Sequence, residues 1–155
     1  MTAERFDLER FLLFRMHKAS EALSLQFALQ YKRLYGMTRA EWRALAVLAR
    51  YSSLSASQIS HYTGIHKTKI SRAVAKLEKR LWLKRCLSPH DLRMETLELT
   101  PLGFSHYTKL AELALAYERQ LEAMLGNQAV EGLTVGLEAV EGFVVKKHRF
   151  GQRRN

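Results

Sequence analysis

The chain has 155 residues, 47% of them hydrophobic, which is one domain's worth of core, and its two prolines and eight glycines are too few for long disordered linkers. Its formal charge of +10 favours a polyanionic partner, and one cysteine, Cys86, excludes an internal disulfide framework. The longest apolar run, Ala44 to Ala49, is too short to cross a bilayer, and the opening residues lack the small-residue cleavage site of a signal peptide. A soluble cytoplasmic protein is the simplest expectation.

The charge is unevenly placed. Residues 1–36 carry six Lys/Arg against four Asp/Glu, residues 37–100 twelve against five, and residues 101–155 seven against six. The positive charge therefore belongs to the middle of the chain, although a solvated basic surface is the plain alternative.

From Asp7 to about Leu34, apolar residues at Leu8, Leu12, Met16, Ala19, Leu23 and Phe27 recur at helical spacing. Asp7 is the expected cap and Gly36 the stop. Phe11, Leu13 and Phe14 widen the apolar face beyond one core contact, which points to a second buried surface such as a subunit partner. In "TRAEWRALAVLAR", Thr38 and Glu41 form a capping box, and Trp42, Leu45 and Ala49 face a core. "SASQISHYTG" repeats the box with Ser55 and Gln58 and stops at Gly64. A helix from about Lys67 to Leu81 follows within three residues, so the pair is a helix-turn-helix candidate.

After Leu81 the period changes. Leu83 to Leu87 and Met94 to Leu99 are β-compatible arms around Ser88-Pro89-His90-Asp91, a hairpin. Thr100 at the N-cap and Pro101 at N1 restart a helix that runs to about Leu125 and ends at Gly126. A last helix, roughly Gln128 to Lys147, carries Val130, Leu133, Leu137, Val140 and Val144 on one stripe suited to helix packing. Gly132 and Gly136, one turn apart, either weaken that helix or permit close approach.

In the helix from Lys67, Ile70, Val74 and Leu77 share one face. Thr68, Arg72, Ala75 and Lys79 share the opposite face, with Lys69 and Lys76 flanking. Cations at a helix N-terminus are unfavourable in isolation, but there they meet phosphates that the free N–H groups also attract. Arg can pair with guanine edges, Thr and Ser with either base type, and Lys can neutralise phosphate, which suits a major groove. The expected DNA contacts are Ser57, Gln58, Lys67, Thr68, Lys69, Ser71, Arg72 and Lys76, with Arg93 and His90 of the hairpin laid along a minor groove. Asp91 orients Arg93 or is an ordinary turn acid.

These stretches, "MTRAEWRALAVLAR", "LSASQISHYTGIHKTKISRAVAKLEKR", "SPHDLR" and "LELTPLG", together resemble the MarR family of winged-helix transcription regulators. The resemblance implies a mainly α fold: a winged helix-turn-helix DNA-binding core with a two-stranded wing, flanked by N- and C-terminal dimerisation helices. It places residues 1–155 in a single domain, with dimerisation helices at 7–36 and 101–147, the winged helix at 37–100 and a basic tail at 148–155. It implies a homodimer that represses nearby genes and releases DNA on binding a small phenolic or aromatic acid. Lys67 to Arg72 match the start of the family's recognition helix, and Arg93 matches its wing arginine. His66 departs from the acidic or small N-cap expected there, leaving that helix start less well capped. Leu81 stands where the family has Gly, so the wing's exit angle is expected to differ.

Met16, His17, Tyr31 and Trp42 are candidates to line an effector pocket, although core packing explains aromatics on these helices as well. Cys86 reads as a small buried hydrophobe rather than a redox sensor. No metal site or cofactor is expected, since the histidines are scattered. An enzyme is not expected, because phosphate-loop, metal-pair and nucleophile motifs are missing. The rival reading is a winged-helix DNA-binding protein of architectural role, without strong sequence preference or effector.

Overall fold

The computed structural model describes the backbone of residues 6–87 and 95–151, with side chains to residue 145. Asp7 caps only a 3₁₀ turn, Leu8–Arg10, accepting from the Glu9 N–H at 3.0 Å. The long helix α1, Leu12–Tyr35, starts after the extended residue Phe11, so the single helix expected from Asp7 is broken there. Edge contact between the Phe6 and Phe11 rings, 5.6 Å apart, accompanies the break. Gly36 ends α1 at φ +61°, a left-handed conformation that glycine adopts without steric cost.

Both expected capping boxes form. Thr38 and Glu41 open α2, Arg39–Tyr51, and Ser55 and Gln58 open α3, Ala56–Thr63. Gly64 turns the chain at φ +66°, and the Ser60 hydroxyl donates to the Ile65 carbonyl at 2.6 Å, fixing the turn into α4, Lys67–Lys79. The hairpin pairs β2, Leu83–Leu87, with β3, Glu95–Leu99, from Leu83 opposite Leu99 to Leu87 opposite Glu95. A two-residue strand, β1, Ser53–Leu54, adds to the other edge of β3, so the sheet has three strands in the order β1-β3-β2. Two residues leave no periodicity to read, which is why the sequence suggested two strands.

Thr100 caps α5, Pro101–Leu125: its hydroxyl accepts from the Gly103 N–H at 3.0 Å and donates to the Leu81 carbonyl at 2.6 Å. After Gly126 comes α6, Asn127–Gly151. The chain divides into two compact units, residues 1–112 and 113–155. Leu45, Leu48, Ile59, Ile70, Leu77 and Leu97 form much of the first unit's core. In the second, Leu133, Leu137, Val140 and Val144 are exposed within this single chain. A Cβ at Gly132 or Gly136 would meet nothing within 4 Å. Among the described residues, no helix is long and apolar enough to cross a membrane.

Candidate nucleic-acid interface

The anchoring of α4 decides which of its side chains are free. Ile70, Ala73, Val74 and Leu77 are at most 2% exposed, whereas Lys67, Thr68, Lys69, Ser71, Arg72, Ala75 and Lys76 are exposed. Ser57 and Gln58 at the start of α3 are exposed too, and the Gln58 carbonyl oxygen accepts from the Ser55 N–H at 2.8 Å. The helix-turn-helix thus presents one continuous set of hydroxyls, an amide and cations to solvent. His90 and Arg93 lie outside the described residues, as do the side chains of the basic tail.

Two local departures resolve differently from expectation. His66 does cap α4: its Nδ1 accepts from the Thr68 N–H at 3.3 Å, which requires that nitrogen to be unprotonated. Leu81 takes the left-handed conformation itself, at φ +62°. The Leu81 N–H donates to the Glu78 carbonyl at 2.8 Å and the Trp82 N–H to the Leu77 carbonyl at 3.0 Å, the paired bonds that close a helix on a left-handed residue. Glycine's exit geometry is kept, at the expense of about 1–2 kcal/mol of steric strain in a leucine.

Beside α4 lies a cleft of about 860 Å³, lined by His17 and Glu21 of α1, Arg39 and Arg43 of α2, and Lys69, Arg72 and Lys76 among others. Arg39 donates to both carboxylate oxygens of Glu21, at 2.6 and 2.5 Å, and that hydrogen bonding holds the Glu21 carboxyl below its usual range. Arg43 reaches the Thr63 carbonyl at 3.5 Å. Of the four effector candidates, His17 lines the cleft. Tyr31 is buried, its ring against Phe27 at 5.3 Å and Trp42 at 6.2 Å, and burial raises its phenol pKa. Trp42 also stacks on Tyr107 at 6.4 Å, so it belongs to the same aromatic packing, and Met16 is half-buried outside the cleft's lining. The cations Arg39 and Arg43 escaped the sequence reading. Their spacing of four places both on one face of α2, a signal that was present but carried no hint of what that face would meet.

Residues 35–94 match the model of the MarR family. That stretch is similar to the MarR family. A protein of Thauera aromatica named for a transcriptional regulatory role at the hcr operon is 26% identical over 124 residues, 80% of this chain and 74% of that protein. The fold is that of a MarR/EmrR family transcriptional regulator from Acinetobacter sp. ADP1, with a TM-score of 0.77, 25% identity and coverage of 91% and 99% of the two chains. It also matches BpsR of Bordetella bronchiseptica, whose DNA binding is regulated by 6-hydroxynicotinic acid, at a TM-score of 0.75 and 17% identity over 88% and 97% of the chains. The matched segment is similar to a family of transcriptional regulators. It takes in every expected DNA contact, from Ser57 to Arg93, while Met16, His17 and Tyr31 lie outside it.

Cys86 is half-buried in β2 with a free thiol.

Proposed function

We propose that the protein is a sequence-specific repressor that binds double-stranded DNA as a homodimer on a palindromic operator. The observation that carries this reading is the division of α4: four apolar side chains sunk in the core, and the opposite face left to Thr68, Ser71, Arg72 and the flanking lysines. Arg72 reads a base edge, Thr68 and Ser71 support it, and Lys67, Lys69 and Lys76 neutralise phosphates. Arg93 and His90 extend the contact into the minor groove.

Exposed apolar faces support the two-fold part of the reading. Leu12, Leu13 and Leu29 of α1, and separately Leu133, Leu137 and Phe143 of α6, are each more than half exposed in one chain. Large apolar faces of this kind call for burial against a partner. Two winged helices related by a two-fold axis fit half-sites about one helical turn apart.

A small aromatic acid in the cleft releases the operator. Arg39, Arg43, Lys69 and Arg72 offer its carboxylate cations, and the ligand of BpsR belongs to the same chemical class. The experiment is a binding titration on the gene's own upstream DNA and on random duplex, over a range of salt. Affinity should fall steeply with salt and exceed that for random duplex by on the order of 10³-fold. Equal affinity for both would replace the regulator with the architectural alternative.

A further inference from the structure

Trp82 sits where the recognition helix hands the chain to the wing. Its N–H is bonded to Leu77 of α4, and its carbonyl accepts from the Thr100 N–H at 3.0 Å, immediately before α5. A methyl group at Gly103 would lie 2.0 Å from that carbonyl oxygen, so α5 presses directly on the Trp82 backbone. The side chain is held as closely. The His106 imidazole, from α5, lies almost parallel to the Trp82 indole, with centroids 4.1 Å apart at 19°. Tyr35 meets the two rings edge-on, at 5.8 Å from Trp82 and 5.6 Å from His106. Arg80 stands 5.2 Å from the indole centre and donates to the Tyr35 carbonyl at 2.7 Å. The His106 Nδ1 is buried and has no hydrogen-bond partner.

We propose that His106 is a positioning residue that, through Trp82, keeps the wing set against the recognition helix only while its ring is uncharged. The inference rests on the DNA-binding role proposed above. A neutral imidazole can leave one buried nitrogen as an unused acceptor at modest cost. A protonated one makes both nitrogens donors and strands a charged N–H where it has no partner. The Trp82 indole face attracts a cation, but the charged groups around the ring oppose it. Lys109 on α5 and Arg80 at the end of α4 both repel it, Tyr35 of α1 presents a ring edge, and the buried Glu41 of α2 is turned to Arg80, 3.9 Å from its guanidinium. Burial first, then Lys109 and Arg80, hold the His106 pKa below the ordinary 6.5. Acidification therefore adds a cation to a site built to refuse it, and the stack that seats Trp82 opens.

The test measures operator binding from about pH 7.5 down to about pH 5 at fixed ionic strength, around the range in which histidine titrates. The proteins are the full chain, His106→Phe, which keeps an aromatic ring against Trp82, and Lys109→Met. The full chain should lose on the order of tenfold in affinity relative to His106→Phe across that range. Any charge gained by other histidines is common to both. Lys109→Met should move the loss to higher pH, a shift that a merely structural role for His106 would not produce. Superimposable profiles for the full chain and His106→Phe, or an unmoved midpoint in Lys109→Met, would overturn the proposal. Tryptophan emission gives a second readout that needs no DNA: it should titrate in the full chain and not in His106→Phe. Titrating emission in a protein that prefers no DNA at any pH would overturn the regulator reading and spare the stack; emission that does not change with pH would overturn the stack itself.

Discussion

Arg85 grips Glu78 through two parallel hydrogen bonds, Nε to Oε1 at 2.8 Å and Nη2 to Oε2 at 3.0 Å, and turns Nη1 to Glu95 at 2.9 Å. One side chain on β2 thereby ties the end of α4 to both strands of the hairpin. The groups are partly exposed, so the pair contributes only about 0.2–1 kcal/mol to stability. Its importance lies in angle: the planar fork fixes the wing's direction, which a lysine's point charge cannot do. Arg85→Lys should leave the unfolding midpoint in urea nearly unchanged while weakening operator binding several-fold. A large stability loss, or unaltered binding, would contradict this division.

Leu81 carries strain that glycine would not. Leu81→Gly removes the clash of Cβ with the backbone and adds some freedom to the unfolded chain, and the two effects oppose each other. The net expectation is a gain of about 0.5–1 kcal/mol, read as a higher midpoint in urea. Leu81→Ala, which keeps a Cβ, should show no such gain.

These two sites mark how far the sequence could be read. The capping boxes at Thr38 and Ser55, the buried face of α4, the hairpin and the Thr100-Pro101 start were legible because each is marked by capping residues, turn residues or periodicity within one continuous stretch. The break at Phe11 and the strand Ser53–Leu54 were not, since the first comes with a contact to the Phe6 ring and the second with pairing to β3. His66 was underrated as a cap because its acceptor exists in only one tautomer and protonation state. At Leu81 the cost of a left-handed leucine is legible in the sequence, but the helix-closing hydrogen bonds that hold that geometry are not. In the cleft, α1, α2 and α4 bring together cations far apart in sequence, and no local pattern announces that meeting.

Gly103 owes its place in "TPLG" to the Trp82 carbonyl. A Cβ there would come within 2.0 Å of the oxygen and 2.8 Å of its carbon, both backbone atoms that cannot swing aside. Gly103→Ala should therefore destabilise the fold by about 1–3 kcal/mol despite alanine's better helix propensity. Calorimetry on this variant and on Gly132→Ala makes the comparison. The second site is open, so it should gain up to about 1 kcal/mol in the helix.

On the face of α4 proposed to meet DNA, two exposed cations should behave differently. Arg72→Ala removes a side chain placed to reach base edges, so it should cost about 1–3 kcal/mol on the operator and relax the preference at one base pair of each half-site. Lys76→Ala removes the phosphate contact proposed for it, so it should weaken operator and random duplex alike and lower the salt slope by about one per subunit. Competition with single-base operator variants distinguishes them. Identical profiles would show that Arg72 also serves only the backbone.

The acid side of the stability curve follows from His106. Its pKa is lowered on folding, chiefly by burial, so between the folded value and the ordinary 6.5 the unfolded chain binds the extra proton. Stability from this residue is then complete above about pH 6.5 and declines as the pH falls, until the folded value is passed and the loss levels off. His106→Phe removes the titration, so in urea unfolding at about pH 7.5 and about pH 5.5 its midpoint should drop less than that of the full chain. The sign is what matters: a histidine stabilised as a cation would give the opposite order, with the full chain gaining on the variant as acid is added. That result would mean an acceptor reaches Nδ1 after all, and that the stack on Trp82 tightens with charge.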